Sequence, residues 1–228
     1  MKPRTYELVG ALSGILFVLL EVLSAFLYPQ QPRIDSSPAT TLAWVHDHRV
    51  ALQIGMICGM VGAAVLLWFV GYLRHVLSRA EDGAEMLSPI VLGSGVALAA
   101  LLAVTTLPVA LLAFMDGQTA GIPDATVVRL LADLNIVAFG ALSAVTGVFI
   151  LALGLAMWYR QLAARWLGWV CVVVVVCNAV SVWIGTTFSS YHGKVWNPVA
   201  FGAFIGFILV LLVISIYGLS GRPSRAAL

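Results

Sequence analysis

Six long apolar segments, separated by short polar loops, dominate this chain. A helix needs about 20 apolar residues to cross the hydrocarbon core of a bilayer, and each segment reaches that length. In lipid, backbone groups must be hydrogen-bonded internally, so only helices and closed barrels span membranes. Runs such as Val61 to Val70 lack the period-two alternation of a barrel strand. The sequence therefore predicts an all-α, polytopic membrane bundle of six transmembrane helices, at about residues 7–28, 50–73, 89–115, 127–157, 166–187 and 197–219.

Composition supports the membrane assignment. Hydrophobic residues make up 61% of the chain and charged residues only 10%, whereas soluble domains carry about 25% charged residues. A net charge of +2, scattered along the chain, predicts no nucleic-acid partner. The first 28 residues resemble a signal peptide, but Glu21 interrupts their apolar run, so we interpret them as a retained helix. Since no repeat or linker is visible, we expect one transmembrane domain over residues 1–228.

The distribution of basic residues predicts the orientation. Loops facing the cytoplasm carry an excess of Lys and Arg. With the N-terminus inside, eight basic residues lie on the cytoplasmic side and four on the outer side. The inner set is Lys2, Arg4, Arg74, Arg79, Arg160, Arg165, Arg222 and Arg225, and the outer set is Arg33, Arg49, Arg129 and Lys194. We therefore expect both termini in the cytoplasm of a bacterial inner membrane.

Two helices appear longer than the bilayer requires. Ser37-Pro38 resembles an N-cap followed by proline at the first helical position, and a helix from there to Leu77 would be about 60 Å long. Residues 38–48 would then either project outward or form a separate surface segment. Likewise, Pro123-Asp124 could start a helix ending near Trp158. That start would place Asp133 and Asn135 near the outer headgroup boundary.

Glu21 is the most informative polar residue. It lies roughly 10 Å below the outer end of the first helix. A carboxylate in hydrocarbon is costly, so such residues usually face the bundle interior or a wet cavity. We predict that Glu21 faces inward and bonds to Asn178, which lies at a similar depth. The alternative is a protonated Glu21 with a purely structural role.

Other polar and aromatic residues cluster in the outer half. Asp133 follows Arg129 by four residues, so it forms either a local ion pair or part of a site. We expect a cavity between helices 1, 4, 5 and 6 that binds a small or amphipathic ligand, although ordinary interhelical hydrogen bonding would need the same residues. The candidate ligand-binding residues are Glu21, Asp133, Asn135, Asn178, Ser181, Trp183, Tyr191, His192, Asn197 and Phe201.

Metal and cofactor sites are not predicted. His46 and His48 are weak candidate zinc ligands, with His192 as a third. On a helix, however, residues two apart point to different faces, so we expect interfacial histidines. Paired membrane-embedded histidines for haem and glycine-rich phosphate loops are absent from the sequence.

Three segments carry a family resemblance: Gly10–Pro29, Val127–Asn135 and Trp158–Trp169. With them the chain resembles uncharacterised six-helix inner-membrane proteins of actinobacteria. That resemblance implies the fold and no activity.

Three function hypotheses remain open at this point. The first is a membrane protein that binds or moves a small or amphipathic ligand. The second is an intramembrane enzyme acting on a lipid or isoprenoid, with Glu21 or Asp133 as general acid or base. The third is a scaffold or accessory subunit that packs through glycine faces. Three helices carry glycines spaced four residues apart, which we interpret as packing positions of the bundle: Gly10/Gly14, Gly55/Gly59 and Gly202/Gly206. Membrane lipids are expected partners in each case, and a homo-oligomer is possible.

Overall fold

The computed structural model describes residues 3–29, 32, 36–81, 85–115, 124–159, 163–187 and 196–220. Six α-helices account for nearly all of this part of the chain, which confirms the all-α fold. They are α1 (Pro3–Leu27), α2 (Pro38–Ala80), α3 (Leu87–Met115), α4 (Ala125–Tyr159), α5 (Arg165–Thr187) and α6 (Trp196–Leu219). Each is long and apolar enough to cross a membrane.

The outward surface of these helices is apolar. In the most hydrophobic window of each helix, only 33% to 39% of residues are buried inside the bundle. The remainder include large side chains such as Leu19, Phe26 and Trp68, which are 61%, 86% and 69% exposed. Apolar area of this extent is strongly unfavourable in water, whereas a bilayer solvates it. The chain is therefore a multi-pass membrane protein.

The six helices form a closed ring. Consecutive helices pack side by side, α1 packs against α6, and α2 also contacts α4 across the ring. Phe17 and Phe207 join α1 to α6 with their rings 6.1 Å apart and nearly perpendicular. This edge-to-face geometry is favoured by the ring quadrupoles. The main core is filled by large, fully buried side chains, among them Leu66, Phe69, Phe149, Leu153 and Leu211.

The length of α2 resolves the question about residues 38–48. Ser37 is the N-cap, and its hydroxyl accepts a hydrogen bond from the Thr40 backbone N–H at 3.2 Å. The helix then continues without interruption for 43 residues, or about 65 Å. Its first turns are held by a second small core in which Trp44 and Val45 pack with α3 and α4 residues, namely Leu112, Ala113 and Val128. The predicted cap is confirmed, and the segment projects from the bundle as part of α2.

Glu81 caps the N-terminus of α3, a role that the sequence analysis did not assign to it. Its Oε1 accepts hydrogen bonds from the backbone N–H groups of Leu87 (2.7 Å) and Met86 (3.3 Å), and its Oε2 accepts one from Ser88 (3.0 Å). Burial opposes ionisation of this carboxyl, but these hydrogen bonds outweigh it and lower the pKa below the ordinary value of 4.5. The positive end of the α3 helix dipole also stabilises the negative charge of this carboxylate.

We expect Glu81→Gln to destabilise the fold by about 1 kcal/mol at neutral pH, because charge-assisted bonds to the helix end are weakened. The folded-state pKa is lowered, so this contribution is fully present above pH 4.5 and disappears as the pH falls through the folded-state pKa. Unfolding in mixed micelles at pH 7 and under acid conditions measures both effects. Glu85→Gln removes the same charge from an exposed neighbour and serves as the control. Equal losses for the two variants would contradict the cap.

Candidate acidic site in the outer half

Glu21 lies at the interface between α1 and α2, in the half of the bundle near the end of α1. We call this end of the bundle, formed by the end of α1 and the start of α2, the outer end. The Glu21 side chain is 8% exposed and contacts the backbone of α2 at Gly62, where an added Cβ would lie 2.6 Å from Oε1. Oε1 is fully buried and accepts no hydrogen bond. The prediction that Glu21 faces the bundle interior is confirmed.

The predicted pairing of Glu21 with Asn178 is wrong. The Asn178 amide donates to the carbonyl of Val174, one turn earlier in α5, at 2.9 Å. Its Cβ faces α4, 4.0 Å from the position of a Cβ at Gly147. The two residues therefore lie at different interfaces, because α1 packs on α2 and α6 whereas α5 packs on α4 and α6. The pairing was predicted from an expected similar depth, and depth does not specify which helices are neighbours.

A layer of polar contacts surrounds Glu21 instead through α1, α2 and α3. One turn beyond Glu21, the Ser24 hydroxyl donates to the Gly55 carbonyl of α2 at 3.0 Å. A Cβ at Gly59 would lie 3.9 Å from Ser24 Oγ and 3.3 Å from the methyl group of Thr106 in α3. Glycines in α2 therefore let polar side chains of α1 and α3 approach its backbone, as small residues do in membrane bundles.

Asn135 extends this layer to α4. It is 2% exposed, and its amide donates to the Thr105 carbonyl of α3 at 2.7 Å. Thr105 lies three residues before Pro108, which has no backbone N–H and so weakens the hydrogen bonding of that turn. The Oδ1 atom of Asn135 is buried and has no partner. The Asn135 amide nitrogen thus joins two helices, and its ligand-binding role stays a prediction.

Of the other predicted site residues, the structure describes the side chains of Asp133, Ser181 and Phe201. Asp133 is half-buried on α4, a helix that packs on α2, α3 and α5. Ser181 is buried and bonds to the carbonyl of Cys177 in its own helix. The Phe201 side chain, on α6, is 62% exposed. Side chains outside the described part of the structure are those of Arg129, Trp183, Tyr191, His192 and Asn197.

His46 and His48 lie on the unbroken helix α2, two residues apart, and point in different directions. His46 is exposed, whereas His48 is half-buried, with Nδ1 2.9 Å from the carbonyl of Trp44. Among the described residues, no group of three or more His, Cys, Asp or Glu side chains could hold a metal. An open groove of about 650 Å³ does run along this face of α2. It is lined by Leu27, His46, Asp47, His48, Arg49, Val50, Ala51 and Ile54.

The sequence analysis missed the part of α2 that forms the site. Gly55 and Gly59 were recognised as a pair, but Gly62 extends them to an i, i+4, i+7 pattern on one helical face. Glu21 and Ser24, three residues apart on α1, lie against that face. The spacing was readable in the sequence. Which polar helix lies against the glycines is a property of the helix packing.

Comparison of the chain with known protein families, curated proteins and solved structures gave no match. The site is therefore interpreted from its own geometry.

Proposed function

We propose that this membrane protein binds a small or amphipathic ligand through Glu21, and that the ligand presents a proton, a cation or a hydrogen-bond donor to the carboxyl group. We further propose that it resides in a bacterial inner membrane with both termini in the cytoplasm, as the basic residues predict. The observation that carries the binding proposal is the buried Oε1 of Glu21, which accepts no hydrogen bond.

The physical argument is the cost of leaving that oxygen unsatisfied. A buried acceptor without a partner costs about 1–3 kcal/mol, and a charged one costs more. In a bilayer this cost persists, since water is scarce at that depth. A bound donor or cation would remove the penalty. Glu21 therefore differs from Asn178 and Ser181, whose polar groups are already bonded within their own helix.

Reaction with dicyclohexylcarbodiimide tests whether Glu21 is a chemically available acid. This apolar reagent modifies protonated carboxyls in apolar surroundings, and mass spectrometry locates the adduct. We expect modification at Glu21 in membranes, its loss in Glu21→Gln, and its persistence in Glu7→Gln, which alters an exposed carboxyl of the same helix. Protection of Glu21 by an amphipathic amine would support ligand binding. A wild-type protein unmodified at Glu21 would contradict an available site.

The variants also separate function from folding. Glu21→Gln keeps the size of the side chain and its capacity for hydrogen bonding but removes ionisation. For this variant we expect normal expression and an unchanged melting temperature, together with loss of the carbodiimide adduct. Glu7→Gln, which alters an exposed carboxyl in the other half of α1, should leave the protection of Glu21 intact.

A further inference from the structure

One face of α1 carries three polar residues that lead from Glu21 to the outer end. Ser24 and Tyr28 follow Glu21 by three and seven residues, which places all three on the same side of the helix. The rise from Glu21 to Tyr28 is about 10 Å. All three contact α2: Glu21 at Gly62, Ser24 at Gly55, and Tyr28 at Trp44, with ring centroids 6.2 Å apart.

The face of α2 that packs against these three residues also carries residues at helical spacing. Gly55 follows Trp44 by eleven residues, which is close to three full turns, so Trp44 lies above the glycines on one face. Gly59 and Gly62 continue that face toward the bundle centre. The α1–α2 seam, as we call it, is thus bordered on α1 by Glu21, Ser24 and Tyr28 and on α2 by Trp44, Gly55, Gly59 and Gly62.

Unsatisfied polar atoms concentrate along this seam. Among the described residues, four buried side-chain atoms have no hydrogen-bond partner, and three of them belong to seam residues: Glu21 Oε1, Tyr28 Oη and Trp44 Nε1. Trp44 itself is only 9% exposed. Buried polar groups are normally satisfied, so several exceptions along one line require an explanation. Water molecules along the seam would supply an acceptor for the Trp44 indole N–H and donors for the oxygen atoms of Glu21 and Tyr28, and a cation could bind those oxygen atoms.

An open groove lies beside the outer end of the seam. The groove of about 650 Å³ is lined by Leu27, which directly precedes Tyr28, and by His48. The His48 ring lies 5.9 Å from the Trp44 ring. Tyr28 and Trp44 therefore stand between an open groove and the buried carboxyl of Glu21.

We propose that the α1–α2 seam is the route by which a hydrated proton or small cation reaches Glu21 from the outer end, with Tyr28 and Trp44 at its entrance. Ser24 is the intermediate polar group, because its hydroxyl and the Gly55 carbonyl to which it donates can both bond to a passing water. This inference rests on the proposed function of Glu21 and adds the direction from which the site is reached.

Cysteine accessibility to Ag⁺, a small cation that reacts with thiols, tests the route. In a background with Cys58, Cys171 and Cys177 replaced by alanine, Ser24→Cys is exposed to Ag⁺ from either side of sealed vesicles. Remaining thiols are then counted with a maleimide after denaturation. Ala43→Cys on the projecting start of α2 and Glu85→Cys at the opposite end identify the two sides, since both positions are exposed.

We expect Ser24→Cys to react from the same side as Ala43→Cys. Leu23→Cys, the adjacent position on the lipid-facing surface of α1, should remain unreactive because lipid does not support thiol ionisation. Ser13→Cys, in the other half of α1, should also be protected from that side. Adding Tyr28→Ala should accelerate the reaction of Ser24→Cys several-fold and leave Leu23→Cys unchanged.

Two results would overturn the route: reaction of Ser24→Cys only from the Glu85→Cys side, or a rate no faster than that of Leu23→Cys even with Tyr28→Ala. Variants are compared only if their melting temperatures match the parent protein. Carbodiimide modification of Glu21 combined with an unreactive Ser24→Cys would leave the site standing and reject this route alone.

Discussion

Replacing Asn135 by aspartate is expected to destabilise the bundle by about 3 kcal/mol or more. The substitution keeps the shape of the side chain but removes the Nδ2 donor that binds the Thr105 carbonyl at 2.7 Å. A carboxylate oxygen would then face a carbonyl oxygen in a site that is 2% exposed. Two acceptors repel each other, and the buried charge has no partner in the wild-type arrangement. Unfolding of the purified protein in mixed micelles measures the loss.

Asn135→Leu provides the matched control. It removes the hydrogen bond to Thr105, but it also removes the buried Oδ1, which has no partner in the wild-type structure. Replacing a polar pair member by an apolar group of similar size costs less than leaving a charge unsatisfied. We therefore expect a loss of about 1 kcal/mol. A larger loss for Asn135→Leu than for Asn135→Asp would show that packing, and not the hydrogen bond, governs this position.

Gly14→Ala is expected to destabilise the protein by about 1–3 kcal/mol through overpacking. A Cβ at Gly14 would collide with Ser215 Oγ of α6 and would lie 2.5 Å and 2.7 Å from two ring atoms of Phe69 in α2. Phe69 is completely buried and so has little freedom to move away. The residue sits where three helices meet, and separating them would disturb the α1–α6 contact that closes the ring. A lower melting temperature in detergent would show the effect.

Gly202→Ala is the control for Gly14→Ala. The sequence places Gly202 in a small-residue pair with Gly206, just as Gly14 pairs with Gly10. Among the residues that the structure describes, a Cβ at Gly202 would meet no atom within 4 Å, whereas one at Gly206 would collide with Val174. In a helix, alanine is more stable than glycine by about 1 kcal/mol. Gly202→Ala should therefore be neutral or slightly stabilising. Equal losses at Gly14 and Gly202 would indicate that an unseen surface covers Gly202.

The contrast between these glycines shows where sequence reasoning stopped. Spacing alone treated the pairs Gly10/Gly14, Gly55/Gly59 and Gly202/Gly206 as equivalent packing positions. The structure packs Gly10 on Tyr72 and Gly14 on Phe69, places Gly55 beside Ser24, and leaves Gly202 open. A four-residue spacing puts two small residues on one helical face, but it does not say which face is turned inward.

For the polar residues, too, the sequence predicted burial correctly but did not predict the hydrogen-bond partner. That Glu21 turns inward followed from the cost of a carboxyl in hydrocarbon, an energy that depends on the residue and its depth alone. The prediction that Asn178 is its partner was wrong. An asparagine amide can donate its hydrogen bond within its own helix, as Asn178 does to the Val174 carbonyl. Asn135 bonds across to α3, next to a turn weakened by Pro108.

The sequence by itself determined that this protein is a bundle of six membrane-spanning helices, that a helix begins after Ser37, and that Glu21 is buried. Each follows from local quantities: the length of an apolar run, the hydrogen bonds of a helix end, and the cost of a charge in lipid. Only the tertiary structure decided that Gly62 lies against Glu21, that Ser24 bonds to Gly55, and that Asn135 joins α4 to α3. The order of the helices around the ring and the rotation of each helix about its own axis depend on the packing of all six together. Lipid solvates any apolar helix face equally well, so it does not select which face is turned inward.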